Sequence, residues 1–343
     1  VNSGPLIAGR RNVWSSLAAV IGIGTHERHE MRIGLTGSHG LIGSALAVAL
    51  GQQGHEVLSI PRGKSTAKGG PDLVEDRASS PLFFDPDGGP SSLDALEGID
   101  AVIHLAGEPI GDHRWDARVR SSIYSSRVYG TRSLIAALAA LKSPPATVLV
   151  ASASGIYGDR GSEELTEEST QGAGFLAKVV TDWEAESRTG EGFANRLVLL
   201  RTGVVLDASG GLLGRLLPLF RLGLGGRLAS GEQYMSWITL ADEVRAIQYC
   251  LENPAISGPV NLVAPNPVTN REFTKDLAVA VGRPAVFAVP RTALELVLGK
   301  EMARELALVS QRIVPNVLQS AGFTFGTPTL DVALAELLAR SSH

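Results

Sequence analysis

From residue 31 onward the apolar residues fall into two alternating patterns. Short continuous runs give way to stretches where they return every three or four positions. The runs at 33–35, 55–60, 82–85, 101–106, 147–150 and 196–201 predict six strands. Between them, Leu41, Ile42, Ala45, Leu46, Ala49 and Leu50 share one helix face, and 115–141 and 175–188 are helical. Pro144 and Pro145 close the first of those long helical stretches. Strands alternating with helices predict the α/β class, with a Rossmann-type doubly wound parallel sheet and ligands at its carboxyl edge. After residue 205 the pattern changes. Residues 210–226 read as Gly- and Leu-rich turns, 241–251 and 270–281 as helices, 260–263 as a strand, and 291–338 as mostly helical.

The first strand runs into Thr36-Gly-Ser-His-Gly-Leu-Ile-Gly43, which opens the first helix. Gly37 permits a tight turn, Gly40 lets backbone N–H groups approach a pyrophosphate, and Gly43 allows close packing of helix on strand. The helix N-terminus then faces the phosphates. Gly37, Ser38, His39, Gly40, Leu41, Ile42 and Gly43 are therefore expected to bind a dinucleotide, together with Leu105, Ala106 and Gly107 after strand four. Strand two ends Ser59-Ile60-Pro61-Arg62, with no acid until Asp72. A carboxylate there would read the ribose of NAD; an arginine reads the 2′-phosphate of NADP. Arg62 thus points to NADP (NADPH).

The chain has 343 residues, 44% hydrophobic and 19% charged, an ordinary soluble composition with room for a large core. A net charge of −4 argues against nucleic-acid binding, and no apolar run is long enough to span a membrane. The single Cys250 excludes an intrachain disulfide and fits a cytoplasmic location. The seven histidines follow no ligand spacing, so no metal is expected. Arg10 and Arg11 precede an apolar patch at 13–23, yet no small-residue cleavage site follows it. Residues 1–30 are expected to form a poorly ordered N-terminal extension. Residues 31–205 are expected to form an NADP-binding Rossmann domain, and 206–343 a smaller, mostly helical region covering the substrate.

Several stretches carry a closer resemblance: Val102-Ile-His-Leu-Ala-Gly-Glu-Pro109, Ser152-Ala-Ser-Gly-Ile-Tyr-Gly158, Leu200-Arg-Thr-Gly203, and the segments at 216–226 and 234–238. With the tail segments 311–315 and 321–325, they resemble the extended short-chain dehydrogenase/reductase superfamily. Within it they are similar to the YfcH-like NAD(P)-dependent epimerase/dehydratase proteins, over about residues 31–340. That resemblance implies a cofactor-binding domain with a distinctive C-terminal domain. It also implies a Tyr-x-x-x-Lys helix, in which Tyr shuttles a proton as hydride moves. Here Phe175 and Val179 stand in those places, and Lys178 is one residue early, rotated about 100° around the helix.

Other groups are left to carry the chemistry. Ser152, at the superfamily's serine position, either bonds a substrate carbonyl or is spent on a buried partner. Tyr157 is either a substitute acid or a packed tyrosine with its hydroxyl satisfied. Glu108 follows strand four and either acts as acid or base or caps the next turn. Arg127 stands where the superfamily has an active-site Asn and, with Trp115, suits an anionic or planar substrate group. Arg118, Arg120 and Arg132 read as a solvated face. Tyr234-Met235 occupies the place where sugar-nucleotide enzymes put a diphosphate-binding arginine. The resemblance also suggests a homodimer through the helices near 115–141 and 172–188.

These features predict an NADP(H)-binding oxidoreductase or epimerase-like protein acting on an unidentified small molecule. The alternatives are a non-catalytic NADP(H) sensor or structural binding protein, and a standard nucleotide-sugar epimerase/dehydratase.

Overall fold

Six parallel strands form the central sheet of the computed structural model, which describes residues 30–61, 84–85, 89–90 and 94–340. They are β1 (Arg32–Thr36), β2 (Glu56–Ile60), β3 (Ala101–His104), β4 (Thr147–Ala153), β5 (Arg196–Thr202) and β6 (Gly258–Leu262), in the order β6-β5-β4-β3-β1-β2. The order reverses between β1 and β3, so the crevice where ligands enter a doubly wound sheet opens beside the glycine turn.

Alternate residues serve opposite faces. Ile33, Leu35, Ile103, Leu149, Val198 and Leu200 form one core with Leu46 and Leu50 of α1 (Leu41–Gln52) and Val244 and Ile247 of α5 (Leu240–Glu252). On the other face, Val148, Val150, Leu197 and Leu199 meet Val128 and Ile135 of α2 (Ala117–Ala139) and Trp183 of α3 (Phe175–Arg188). Each such apolar side chain contributes about 1.5–3 kcal/mol on burial. At the carboxyl edge this second face turns polar. Val102, Val150 and Leu199 are followed two residues on by His104, Ser152 and Arg201, all buried. Register sets Thr36 beside His104, Ser152 beside Arg201, and Arg201 beside Asn261.

Two expectations need correction. Phe84–Asp85, in the expected third strand, pairs antiparallel with Gly89–Pro90 and does not join the six-stranded sheet. Residues 210–226, expected as turns, contain α4 (Gly211–Arg221), whose Leu213, Leu217 and Phe220 form a buried stripe despite Pro218. Helical spacing of three large apolar residues outweighs the glycines there. The tail is mostly helical as expected, in several short helices with the strand Arg312–Ile313 between them, which pairs with Glu164–Leu165.

The 206–343 region supplies β6 to the main sheet and a second core of its own. That core joins Leu206, Leu213, Leu217 and Phe220 to Trp237, Phe273, Leu277 and Leu334. Arg62, Leu82 and residues 1–29 of the expected 1–30 extension lie outside the described residues. Among the described residues no helix is long and apolar enough to cross a membrane.

Candidate functional site

The glycine turn shapes the start of the site. Gly37 has φ +72°, and a Cβ there would lie 2.7 Å from the Leu105 carbonyl carbon. A Cβ on Gly43 would lie 2.1 Å from the Gly37 oxygen, so Gly43 is required by the turn itself more than by the strand. Helix α1 starts at Gly40 with no side-chain cap and no acid in its first turn. Its first N–H groups have no intrahelical acceptor, and together with the helix dipole they suit a phosphate. The cradle therefore fits a dinucleotide pyrophosphate. Beside it, Ser38 Oγ lies 2.5 Å from Ser59 Oγ, tying the turn to the end of β2.

The floor at the switch point is built by Thr36 and His104. Thr36 Oγ1 accepts from the N–H groups of Leu105 and Ala106 at 3.2 and 3.3 Å, which leaves its own proton for His104 Nδ1 at 2.6 Å. Burial pushes His104 down to about 4, so the imidazole is neutral at physiological pH. These bonds end β3 at His104, two residues earlier than the hydrophobic run suggests, and turn Leu105 and Ala106 toward the crevice.

A cavity of about 450 Å³ continues from this cradle along the carboxyl edge. Gly37, Gly40, Leu41, Ile42, Gly43, Leu105, Ala106 and Gly107 line its first part; Arg127, Ser152 and Thr202 lie further in. Helix α3 presents Leu176, Val179, Val180 and Trp183 to it, a stripe with no ionisable group. Phe175 turns away to meet the Trp115 ring edge at 5.3 Å and the Arg120 guanidinium at 4.5 Å. Lys178 pairs with Asp182 at 2.8 Å on the exposed side.

Behind Ser152 lies a buried polar chain. Ser152 Oγ donates to Glu184 Oε1 at 2.7 Å, and Arg201 holds both Glu184 oxygens at 2.8 and 2.9 Å. Arg201 Nη1 donates to the Tyr157 hydroxyl at 2.9 Å, and that hydroxyl donates to Asn261 Oδ1 at 2.7 Å. Tyr157 is fully buried, does not line the cavity, and is pushed upward by burial. A proton-transfer role does not fit that placement; Tyr157 braces Arg201.

The remaining expected residues separate. Glu108 is half-buried next to the cavity-lining Gly107. Its N–H donates to Ser126 Oγ at 3.1 Å, and its carbonyl accepts from Arg127 Nη1 at 2.9 Å. The Arg127 guanidinium also lies 5.4 Å from the Trp183 ring centre. Trp115 donates its indole N–H to the Ile110 carbonyl and lies outside the cavity lining, as do Ser38 and His39. Among the described residues no cluster of acids, histidines and cysteine could hold a metal ion.

Two contributors escape sequence reasoning. Glu184 left one usable signal, an acid within the buried α3 stripe of Val180, Trp183 and Ser187. Glu305 left none. It lies in the π-helical segment Ala303–Ala307, lines the cavity, and accepts from the N–H groups of Phe175 and Leu176 at 2.9 and 2.7 Å. A carboxylate from the tail thus caps α3, whose N-cap Gly174 offers no side chain.

A family model described as the NAD dependent epimerase/dehydratase family matches residues 33–262. A second, described as a domain of unknown function (DUF1731), matches residues 289–337. The chain is 42% identical over 308 residues to the epimerase family protein Mb2239 of Mycobacterium bovis, covering 90% of this chain and 98% of the relative. The crystal structure of human epimerase family protein SDR39U1 (isoform 2) with NADPH is similar at a TM-score of 0.77 and 30% identity. That match covers 90% of this chain and 99% of the human one. A nucleoside-diphosphate sugar epimerase from Corynebacterium glutamicum is similar at a TM-score of 0.70 and 34% identity, over 90% of this chain and 58% of that one.

Proposed function

The chain belongs to the NAD dependent epimerase/dehydratase family, and from that premise we propose an NADP(H)-dependent oxidoreductase of epimerase type. It acts on a small substrate without the Tyr-x-x-x-Lys shuttle. The observation that carries this reading is the continuity of the glycine cradle with a cavity reaching Ser152 and Trp183. The similar human protein was solved with NADPH, which supports the choice of cofactor.

Bound NADP(H) supplies hydride transfer at the nicotinamide ring. The residues of the chain supply the rest. The N-terminus of α1 holds the pyrophosphate, the Leu105-Ala106-Gly107 backbone borders the cofactor, and Arg62 takes the 2′-phosphate. Arg127 is assigned to an anionic or planar substrate group. Glu108 takes the acid–base duty, because it lies next to the cavity-lining Gly107 in the loop after β3. Ser152 orients the substrate. A single cysteine suits work in a reducing cytoplasm. Titration of wild type and Arg62→Ala with NADPH and NADH tests the cofactor. The variant is expected to lose its preference for NADPH, and an unchanged preference would refute the assignment.

One observation favours a second reading, in which the protein holds NADP(H) without turnover. The α3 stripe facing the cavity is apolar throughout. Oxidation of bound NADPH by a panel of small carbonyl compounds separates the two. Silence across the panel with cofactor bound supports the sensor, and turnover of any member supports the enzyme.

A further inference from the structure

The hydroxyl of Ser152 has one proton, and its position can be deduced from its neighbours. Glu184 Oε1 receives Ser152 Oγ at 2.7 Å and Arg201 Nε at 2.8 Å, while Oε2 receives Arg201 Nη2 at 2.9 Å. Arg201 has only donors and does not deprotonate. A carboxyl group accepting a bidentate guanidinium is the ionised, acceptor-only form. Two oxygens 2.7 Å apart need a hydrogen between them, and only Ser152 can provide it. Turning that proton into the cavity would give up a charge-assisted bond inside a buried cluster, where Ser152, Glu184 and Arg201 are each at most 6% exposed.

We propose that Ser152 presents a hydrogen-bond acceptor to the cavity, so the ligand group seated against it is a donor: the substrate is a hydroxyl-bearing molecule bound as the alcohol. Glu184 is the positioning residue that imposes this polarity, and the Ser152–Arg201 register pairing puts Ser152 within its reach. Of the two expectations for Ser152, a bond to a substrate carbonyl or a buried partner, the proton goes to a buried partner, the Glu184 side chain, and the oxygen lone pairs remain for a ligand. This inference rests on reading the cavity as the substrate site.

Two measurements test it. Neutron diffraction from deuterated crystals of the intact protein is expected to show deuterium on Ser152 Oγ directed at Glu184 Oε1 and none on Glu184. Deuterium pointing into the cavity, or residing on Glu184, overturns the proposal. Calorimetry with matched probes in non-reacting combinations gives the second, using cyclohexanol with the NADPH complex and cyclohexanone with the NADP+ complex. Ser152→Ala is expected to weaken cyclohexanol roughly three- to tenfold and leave cyclohexanone unchanged. Loss of cyclohexanone binding instead overturns it. A wild-type protein that takes up no NADPH refutes the functional reading, and the neutron result then still decides the polarity of Ser152.

Discussion

Replacing Glu243 with glutamine is expected to remove a stability loss that the wild-type protein suffers as pH rises toward 8. Glu243 lies fully buried in the first turn of α5. Thr202 Oγ1 donates to its Oε1 at 2.8 Å, and its Oε2 has no hydrogen-bond partner among the described residues. The helix N-terminus and Thr202 favour the anion, but burial prevails and pushes the carboxyl from its ordinary 4.5 up to about 8. The folded chain therefore keeps a proton that the unfolded chain releases above 4.5. Between those values unfolding releases a proton, and stability falls by about 1.4 kcal/mol per pH unit. From pH 5 to pH 8 the loss is on the order of 4 kcal/mol, and it levels off within about a pH unit above the folded value. Glutamine has no proton to release, so the advantage of Glu243→Gln over wild type should grow by that amount across the window. Urea unfolding of both proteins at pH 5, 6, 7, 8 and 9, followed by tryptophan fluorescence, measures the difference. Titrations common to both cancel. His104 is one of these, with the opposite sign: its stabilising neutrality is lost as pH falls from 6.5 through about 4. A difference that stays constant with pH would refute the reasoning and mean that Glu243 is ionised in the folded protein.

Four further outcomes are expected. Gly43→Ala forces a Cβ to 2.1 Å from the Gly37 oxygen, so NADPH affinity in a fluorescence titration should fall by more than about tenfold. Gly51→Ala, in the same helix with no atom within 4 Å, should keep affinity and add about 0.5–1 kcal/mol of stability. Tyr157→Phe leaves Asn261 and Arg201 each short of a partner and should cost about 1–3 kcal/mol in chemical denaturation. Its NADPH affinity should match wild type, and a large loss of affinity would return Tyr157 to the site. Glu305→Ala strips the cap from Phe175 and Leu176 and should cost about 1–2 kcal/mol, seen as a lower Tm.

Local sequence was enough to read the glycine turn and most of the sheet. The positive φ of Gly37 and the clash at Gly43 belong to the turn over residues 37–43, which any chain carrying glycine there can adopt, whereas the close approach at Gly37 is to the distant Leu105. The strands were legible because a strand buried on both faces must be apolar at almost every position. Their ends were not. β4 runs on to Ala153 and β3 stops at His104, because backbone donors choose between a neighbouring strand and the Thr36 hydroxyl.

What the sequence determined by itself was the class of fold, the place of the glycine turn, and the apolar residues standing where a proton shuttle was expected. These depend on contacts within one turn or one periodic stretch. Only the tertiary structure decided which way the polar groups face. Ser152, Glu184, Arg201 and Tyr157 come from β4, α3, β5 and the turn after β4, and their hydrogen bonds exist only once the strands are in register. The same holds for Glu305, which reaches α3 across 129 residues of chain. An unpaired buried charge is too costly to leave, so folding commits each of these groups to a partner. The partner of Ser152 then sets what that serine can offer a ligand.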